Sequence, residues 1–391
     1  MRRCYLDNNA TTPVDERVKE AMLPYLGEAF FNPSSVYTPA REVRKAVETA
    51  REQLANLLNA DPEEIIFTSG GTEADNIAIK GTAFALAEKG KHIITSAIEH
   101  PAVLNTCKFL ERVGFSVSYV PVDRYGIVDM DHLKENIRDD TILISIMYAN
   151  NEIGTIQPIE EIASIARERG IYFHTDAVQV IGKFPVDVKV LGVDFLALSA
   201  HKFYGPKGVG ALYVRKGVKF RPLVNGGHQE RGLRGGTENV AGIVGLGEAA
   251  KIASEEMEAE EKRLRPLRDA LENGILEKIP EVIVNGHPEQ RLYNTLNVCI
   301  RYVEGESVLL MLDREGICVS TGSACSSGSL EPSHVLLAIG LSHEVAHGSI
   351  RFSIGKFNTE EDIDKVLSVV PPIVERLREI SPLWNKEEKG G

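Results

Sequence analysis

Two short segments of this chain carry the residue types that covalent amine chemistry needs. One is His174-Thr175-Asp176-Ala177-Val178-Gln179, at the end of an apolar run. The other is Ser199-Ala200-His201-Lys202, directly after Val193-Asp194-Phe195-Leu196-Ala197-Leu198. A lysine amine can form a Schiff base with an aldehyde, and a carboxylate from a neighbouring strand can pair with a protonated pyridine nitrogen. Ser199 and His201 offer donors to a phosphate. Alone, a lysine after a strand is usually a solvated loop charge, and an aspartate there is usually a helix cap. Together they point to pyridoxal phosphate, anchored by Lys202 and held at its ring nitrogen by Asp176.

Other residues extend the pattern. Thr68-Ser69-Gly70-Gly71-Thr72-Glu73-Ala74-Asp75-Asn76 follows an apolar run and opens a helical one. Glycines that allow close approach, combined with a helix N-terminus, make a phosphate cradle, although a routine strand–helix turn capped by Thr72 fits the same letters. His100 ends a β-like run before Pro101, where an imidazole can stack on a flat ring or act as acid or base. Arg351, in Ser349-Ile350-Arg351-Phe352-Ser353, suits bidentate capture of a carboxylate. Cys325 is flanked by small polar residues and glycines in Ser320-Thr321-Gly322-Ser323-Ala324-Cys325-Ser326-Ser327-Gly328-Ser329. That composition predicts an accessible thiol on a flexible loop, where nucleophilic chemistry competes with an incidental surface cysteine. His343-Glu344-Val345-Ala346-His347 matches a zinc-protease pattern, but Gly348 follows at once. We expect a single helical turn capped by Ser342, and no metal site.

These residues need a scaffold. Apolar spacing of three and four predicts helices over 41–58 and 160–169. Between such segments fall β-branched runs at 65–67, 92–95, 116–120, 141–145 and 171–173. Alternating strands and helices predict an α/β fold with a mostly parallel sheet covered on both faces, and ligands bind beyond the carboxyl ends of such strands. Residues 248–277 predict one or two long helices linking two domains, and 360–380 predicts an amphipathic helix.

Composition excludes several roles. The chain has 391 residues, 43% of them hydrophobic and 26% charged, as in a soluble globular protein. A net charge of −12 argues against nucleic-acid binding. No apolar run approaches the roughly 20 residues of a membrane span. The start lacks a secretory signal, so a cytoplasmic location is expected. The five cysteines, Cys4, Cys107, Cys299, Cys318 and Cys325, show no CxxC spacing and make neither a disulfide framework nor a zinc site.

With these motifs in place the chain resembles the cysteine desulfurases, pyridoxal-phosphate enzymes of the aspartate aminotransferase fold (fold type I). The resemblance runs from Tyr5-Leu6-Asp7-Asn8-Asn9-Ala10-Thr11-Thr12 through Arg351-Phe352-Ser353. The stretch from Ser323-Ala324-Cys325 to Glu331-Pro332-Ser333-His334 is similar to the subgroup with an extended catalytic loop, which serves iron–sulfur assembly. The resemblance implies a large cofactor domain with a seven-stranded type of sheet over 14–255. It also implies a smaller α/β domain from 1–13 and 256–391 that carries the loop at about 320–333. It implies that Lys202 carries the cofactor, Asp176 holds its ring nitrogen, Gln179 bonds the ring oxygen and His100 stacks on the ring. Gly71, Thr72, Ser199 and His201 would form the phosphate site, joined by Thr237 from the neighbouring subunit of a homodimer. Asn151 and Arg351 would hold the substrate carboxylate. The implied reaction converts L-cysteine to L-alanine, with Cys325 taking the sulfur as a persulfide for a scaffold protein or another acceptor. His100 is the candidate activator of the thiolate. The competing readings are a selenocysteine lyase, an aminotransferase, and an assembly platform on which Cys325 is a transient iron–sulfur ligand.

Overall fold

A computed structural model describes residues 3–321, 331–382 and 384. The β-branched runs form strands where expected. In chain order the strands are β1 (Cys4–Tyr5), β2 (Ile65–Thr68), β3 (His92–Ser96), β4 (Ser116–Val120), β5 (Thr141–Ser145) and β6 (Tyr172–Asp176). They continue with β7 (Phe195–Ser199), β8 (Gly210–Val214), β9 (Val282–Asn285), β10 (Thr295–Ile300), β11 (Ile317–Cys318) and β12 (Ser349–Ser353). Seven of them make one sheet in the order β2-β8-β7-β6-β5-β3-β4. All neighbours are parallel except β8, which runs antiparallel to both β2 and β7.

Both faces of this sheet are covered, which is why β5 and β7 are apolar runs buried along their whole length. In β7 the side chains alternate. Phe195 and Ala197 pack towards the Gly71–Ala85 helix, while Leu196 and Leu198 enter the larger core on the other face. A second core surrounds the antiparallel sheet β12-β10-β9 and the helices Gly305–Arg314 and Glu360–Glu379. Cys4 and Leu6 belong to that second core. The start of the chain therefore packs with its end, and β1 pairs in parallel with β11.

One helix, Val240–Lys278, serves both cores. Ile243 to Met257 pack in the first, and Leu264 to Ile275 in the second. The sequence reading began it eight residues late, because Gly242, Gly245 and Gly247 weaken the helical signal. Packing explains them: a Cβ on Gly247 would lie 2.5 Å from the Ala50 Cα of the Thr38–Leu58 helix. The His343–His347 segment is a five-residue helix whose first turn is capped by Ser342, and β12 follows almost at once.

Buried charge is paired where the phosphate-cradle segment meets its support. Arg51 donates to both carboxylate oxygens of Glu230 at 2.8 Å and to the Ile65 carbonyl at 2.9 Å. Glu230 also accepts the Phe67 N–H at 2.9 Å. Glu230 and Arg231 sit at φ 44° and 58°, conformations that non-glycine residues hold only when their surroundings impose them. Removing one partner leaves the other charge buried, so Glu230→Ala is expected to cost about 3–5 kcal/mol, read as a lower urea midpoint. The paired replacement Arg51→Met with Glu230→Leu should recover most of that loss.

Candidate active site

The parallel arrangement aims several chain reversals at one side of the sheet. Asp176 is the last residue of β6 and Ser199 the last of β7. Lys202 ends the short 3-10 turn Ala200–Lys202. Gly70 caps the Gly71–Ala85 helix at φ 154° and ψ −179°, a conformation essentially restricted to glycine. No side chain caps that helix, and Thr72 lies inside its first turn rather than at the cap. His100 precedes the Pro101–Arg112 helix and caps it, its Nδ1 accepting the Ala102 N–H at 3.1 Å. The neutral imidazole must therefore carry its proton on Nε2.

Ten of the predicted residues meet at one cavity of about 380 Å³: Gly71, Thr72, His100, Asn151, Asp176, Gln179, Ser199, His201, Lys202 and Arg351. Thr237 is exposed on the segment before the Val240–Lys278 helix and does not line this chain's cavity. Cys325 lies outside the described residues.

The Lys202 amine donates to the Asn9 carbonyl at 2.5 Å and the Ala10 carbonyl at 2.8 Å. Gln179 donates to the same Asn9 carbonyl at 3.0 Å. Arg351 is buried, donating to Asp7 Oδ1 at 2.8 Å and to the Asn151 carbonyl at 3.0 Å. Burial pushes the Asp176 carboxyl up, against the opposing pull of His100, the Val178 N–H and Lys202. Burial holds His100 below its ordinary value, and takes His201 down to about 4 with help from Lys202 and Lys207. His201 Nδ1 lies 3.1 Å from Thr11 Oγ1.

Sequence reasoning assigned no role to Asp7, Asn9, Ala10, Asp75 or Ser320, yet all five line the cavity. The one available signal was Asn8-Asn9-Ala10-Thr11-Thr12, a small polar run with neither helical nor strand periodicity. It wraps from the small sheet to the large one, and Asn9 Nδ2 donates to the Asn151 carbonyl at 3.1 Å and to Thr295 Oγ1 at 2.8 Å.

The walls suit a flat anionic aldehyde. They offer an amine, a buried carboxylate, an imidazole, and an uncapped helix N-terminus beside two hydrogen-bonding side chains, Thr72 and Ser199. Buried polar atoms of three lining residues lack protein partners, namely Asp75 Oδ1, Gln179 Oε1 and Arg351 Nε, as expected where a polar ligand completes the bonding.

Residues 4–366 match the model of the aminotransferase class-V family. The chain is 61% identical over 383 residues to cysteine desulfurase IscS of Methanosarcina thermophila, covering 98% of this chain and 95% of that protein. It is 59% identical to cysteine desulfurase IscS of Dictyoglomus turgidum, covering 97% of each. A solved NifS-like protein superposes with a TM-score of 0.90 at 44% identity, over 97% of this chain and all of that one. The structure described as SspA in complex with cysteine gives 0.81 at 41% identity, over 92% of this chain and all of that one. Enzymes of this class depend on pyridoxal phosphate, and the cavity described above has the groups to hold it. By family model, identity and fold together, the chain belongs to the aminotransferase class-V family, among its cysteine desulfurases.

Proposed function

We propose that this chain takes sulfur from L-cysteine at the cavity beyond β6 and β7, releases L-alanine, and carries the sulfur as a persulfide on Cys325 for an iron–sulfur scaffold or another acceptor. The observation that carries the reading is the convergence of the Lys202 amine, the Asp176 carboxylate and the Arg351 guanidinium on one cavity. When bound, pyridoxal phosphate supplies the electron sink for negative charge at the substrate Cα. Lys202 Nζ would anchor it and, once freed, take the Cα proton. Asp176 would pair with its ring nitrogen, Gln179 with its ring oxygen, and His100 would stack on its ring. Gly71, Thr72, Ser199 and His201 would hold the phosphate. Asn151 and Arg351 hold the substrate carboxylate. Asp7 presets the guanidinium, which limits the rotamer freedom lost on binding. The Cβ–S bond of L-cysteine breaks and a bond forms between its sulfur and Cys325 Sγ; Cβ takes up the electron pair and a proton to become the alanine methyl, so one cysteine and one enzyme thiol give one alanine and one persulfide with no external oxidant.

One described flank of the Cys325 segment lines the cavity, and the other is held by residues next in sequence to the lining residues Asn151 and His100. Ser320 lines the cavity and exchanges backbone hydrogen bonds with Arg351 at 2.7 and 3.2 Å. On the far side Ser333 donates to Glu152, and His334 Nε2 lies 3.0 Å from the Glu99 carbonyl. This supports delivery of the thiol to the cavity.

The same reading includes a homodimer in which Thr237 serves the neighbour's phosphate site, a cytoplasmic location, and domains at 14–255 and at 1–13 with 256–391. Thr237 follows Arg234, which is tied to Glu73 of the phosphate turn at 2.8 Å. No helix among the described residues is long and apolar enough to cross a membrane. The two separate cores support the division, with the boundary inside the Val240–Lys278 helix.

Cys325→Ser is expected to keep the yellow colour of the bound cofactor while cysteine-dependent persulfide and alanine fall to background; persulfide still found on that variant rules out the nucleophile. Lys202→Ala should lose the absorbance of the covalently anchored cofactor. Arg351→Lys should lower kcat/KM for cysteine roughly ten- to a hundredfold, since a charged hydrogen bond is lost. Burial raises the Glu152 carboxyl to about 7, against the Ser333 bond and the Arg351 charge. Its contribution to stability is therefore complete below the ordinary value of 4.5 and is lost as pH rises to and through about 7. Glu152→Gln should flatten the fall in urea midpoint across that window.

A further inference from the structure

The cavity wall that carries Asp176 also carries, on the Gly71–Ala85 helix, a carboxyl that the mechanism above does not use. Asp75 is 1% exposed and lines the cavity. Its Oδ1 lies 3.4 Å from Nε2 of His174, which is fully buried on β6, and neither atom has a hydrogen-bond partner among the described residues. The other ring nitrogen, Nδ1, is 2.8 Å from Ser145 Oγ on β5.

Resting on the pyridoxal-phosphate reading, we propose that Asp75 stands as a neutral acid facing the neutral imidazole of His174, so that Asp176 is the single carboxylate anion presented to the cofactor ring. The argument is one of charge. Three carboxyls are buried together here: Asp75 on the Gly71–Ala85 helix, Asp176 at the end of β6, and Glu99 before the Pro101–Arg112 helix. The groups in the cavity wall able to carry positive charge beside them are His100, His201, Lys202 and Arg351. Arg351 is paired with Asp7, and the reading assigns Lys202 to the cofactor. Burial keeps His100, His174 and His201 below their ordinary values. A ring nitrogen brings one positive charge, which one carboxylate answers. A second anion in this wall would lack a counter-charge. Burial, then Asp176 and Glu99, push the Asp75 carboxyl well up, in agreement with that count. Asp75 is thus a positioning residue, acting on the ring through Asp176.

The test uses holoenzyme. The pH titration of the cofactor's visible band is compared for the unaltered protein, Asp75→Asn and Asp75→Ala, together with the cofactor dissociation constant. Asparagine copies an uncharged acid, so its midpoint should coincide with that of the unaltered protein and its affinity should be retained. Alanine leaves His174 without its partner and should weaken cofactor binding roughly tenfold. If Asp75 were an anion, Asp75→Asn would move the midpoint by about one unit or more, which overturns the proposal. A readout that needs no variant is the infrared spectrum of protein carrying isotope-labelled aspartate carboxyls. A protonated-acid carbonyl band that shifts with the label at neutral pH supports the proposal, and its absence overturns it. Glu99 carries no label and cannot imitate that band. A protein that never acquires a visible band with pyridoxal phosphate counts against the cofactor reading itself, a different result from a displaced midpoint.

Discussion

Parallel pairing of β6 with β7 is the constraint on which the site depends. The register sets Asp176 opposite Ala197, so β7 runs two residues further before it ends at Ser199. The turn then lifts Lys202 over the same edge. On the other side of β7, Ser199 and Thr68 both stand opposite Gly210 of β8, which brings the glycine turn after β2 next to Ser199. A one-residue slip in these ladders would send the site side chains to the opposite face. The apolar alternation that fixes β7 between two cores therefore also fixes the chemistry at its tip.

The second constraint is charge burial. Away from the cavity, buried charges meet partners with several hydrogen bonds, as Arg51 does with Glu230. At the junction of the two cores, Asp15 takes Arg17 and Lys356, and these two also reach Glu256. The neighbouring guanidinium and amine hold the Asp15 carboxyl far below its ordinary value. Around the cavity the balance differs. Glu99, Glu152 and Asp176 are raised because burial outweighs the help they receive, and Asp75 is raised by burial and by the carboxyls of Asp176 and Glu99. Such clustering of displaced acids is common where a fold keeps room for a charged ligand.

The site also depends on the chain closing on itself. Residues 7–10 leave the small sheet, pass under Lys202 and Gln179, and tie Asn151 to Thr295. The substrate-side arginine on β12 is locked to the same segment through Asp7. The two cores are thus joined at the cavity through the backbone carbonyls of Asn9, Ala10 and Asn151. The long Val240–Lys278 helix joins them again at a distance.

Most of the catalytic groups were legible in the letters because their chemistry is local. A lysine three residues past an apolar strand, an aspartate at the tip of another, and two glycines opening a helix each announce themselves within a few residues. The mostly parallel sheet followed from alternation of strand and helix, and the resemblance to the cysteine desulfurases supplied the roles. Tertiary structure decided what the letters do not encode nearby. It showed that carbonyls at Asn9 and Ala10 receive the lysine amine from over 190 residues away, and that Asp7 occupies the arginine. It also showed that Asp75 shares the cavity wall with Asp176, and that glycines drawing a helix close to its neighbour extend it rather than break it. Local patterns report the free energy of a turn or an amphipathic face. Partners across the fold are fixed by packing and by the cost of leaving buried polar groups alone, and no window along the chain contains both members of such a pair.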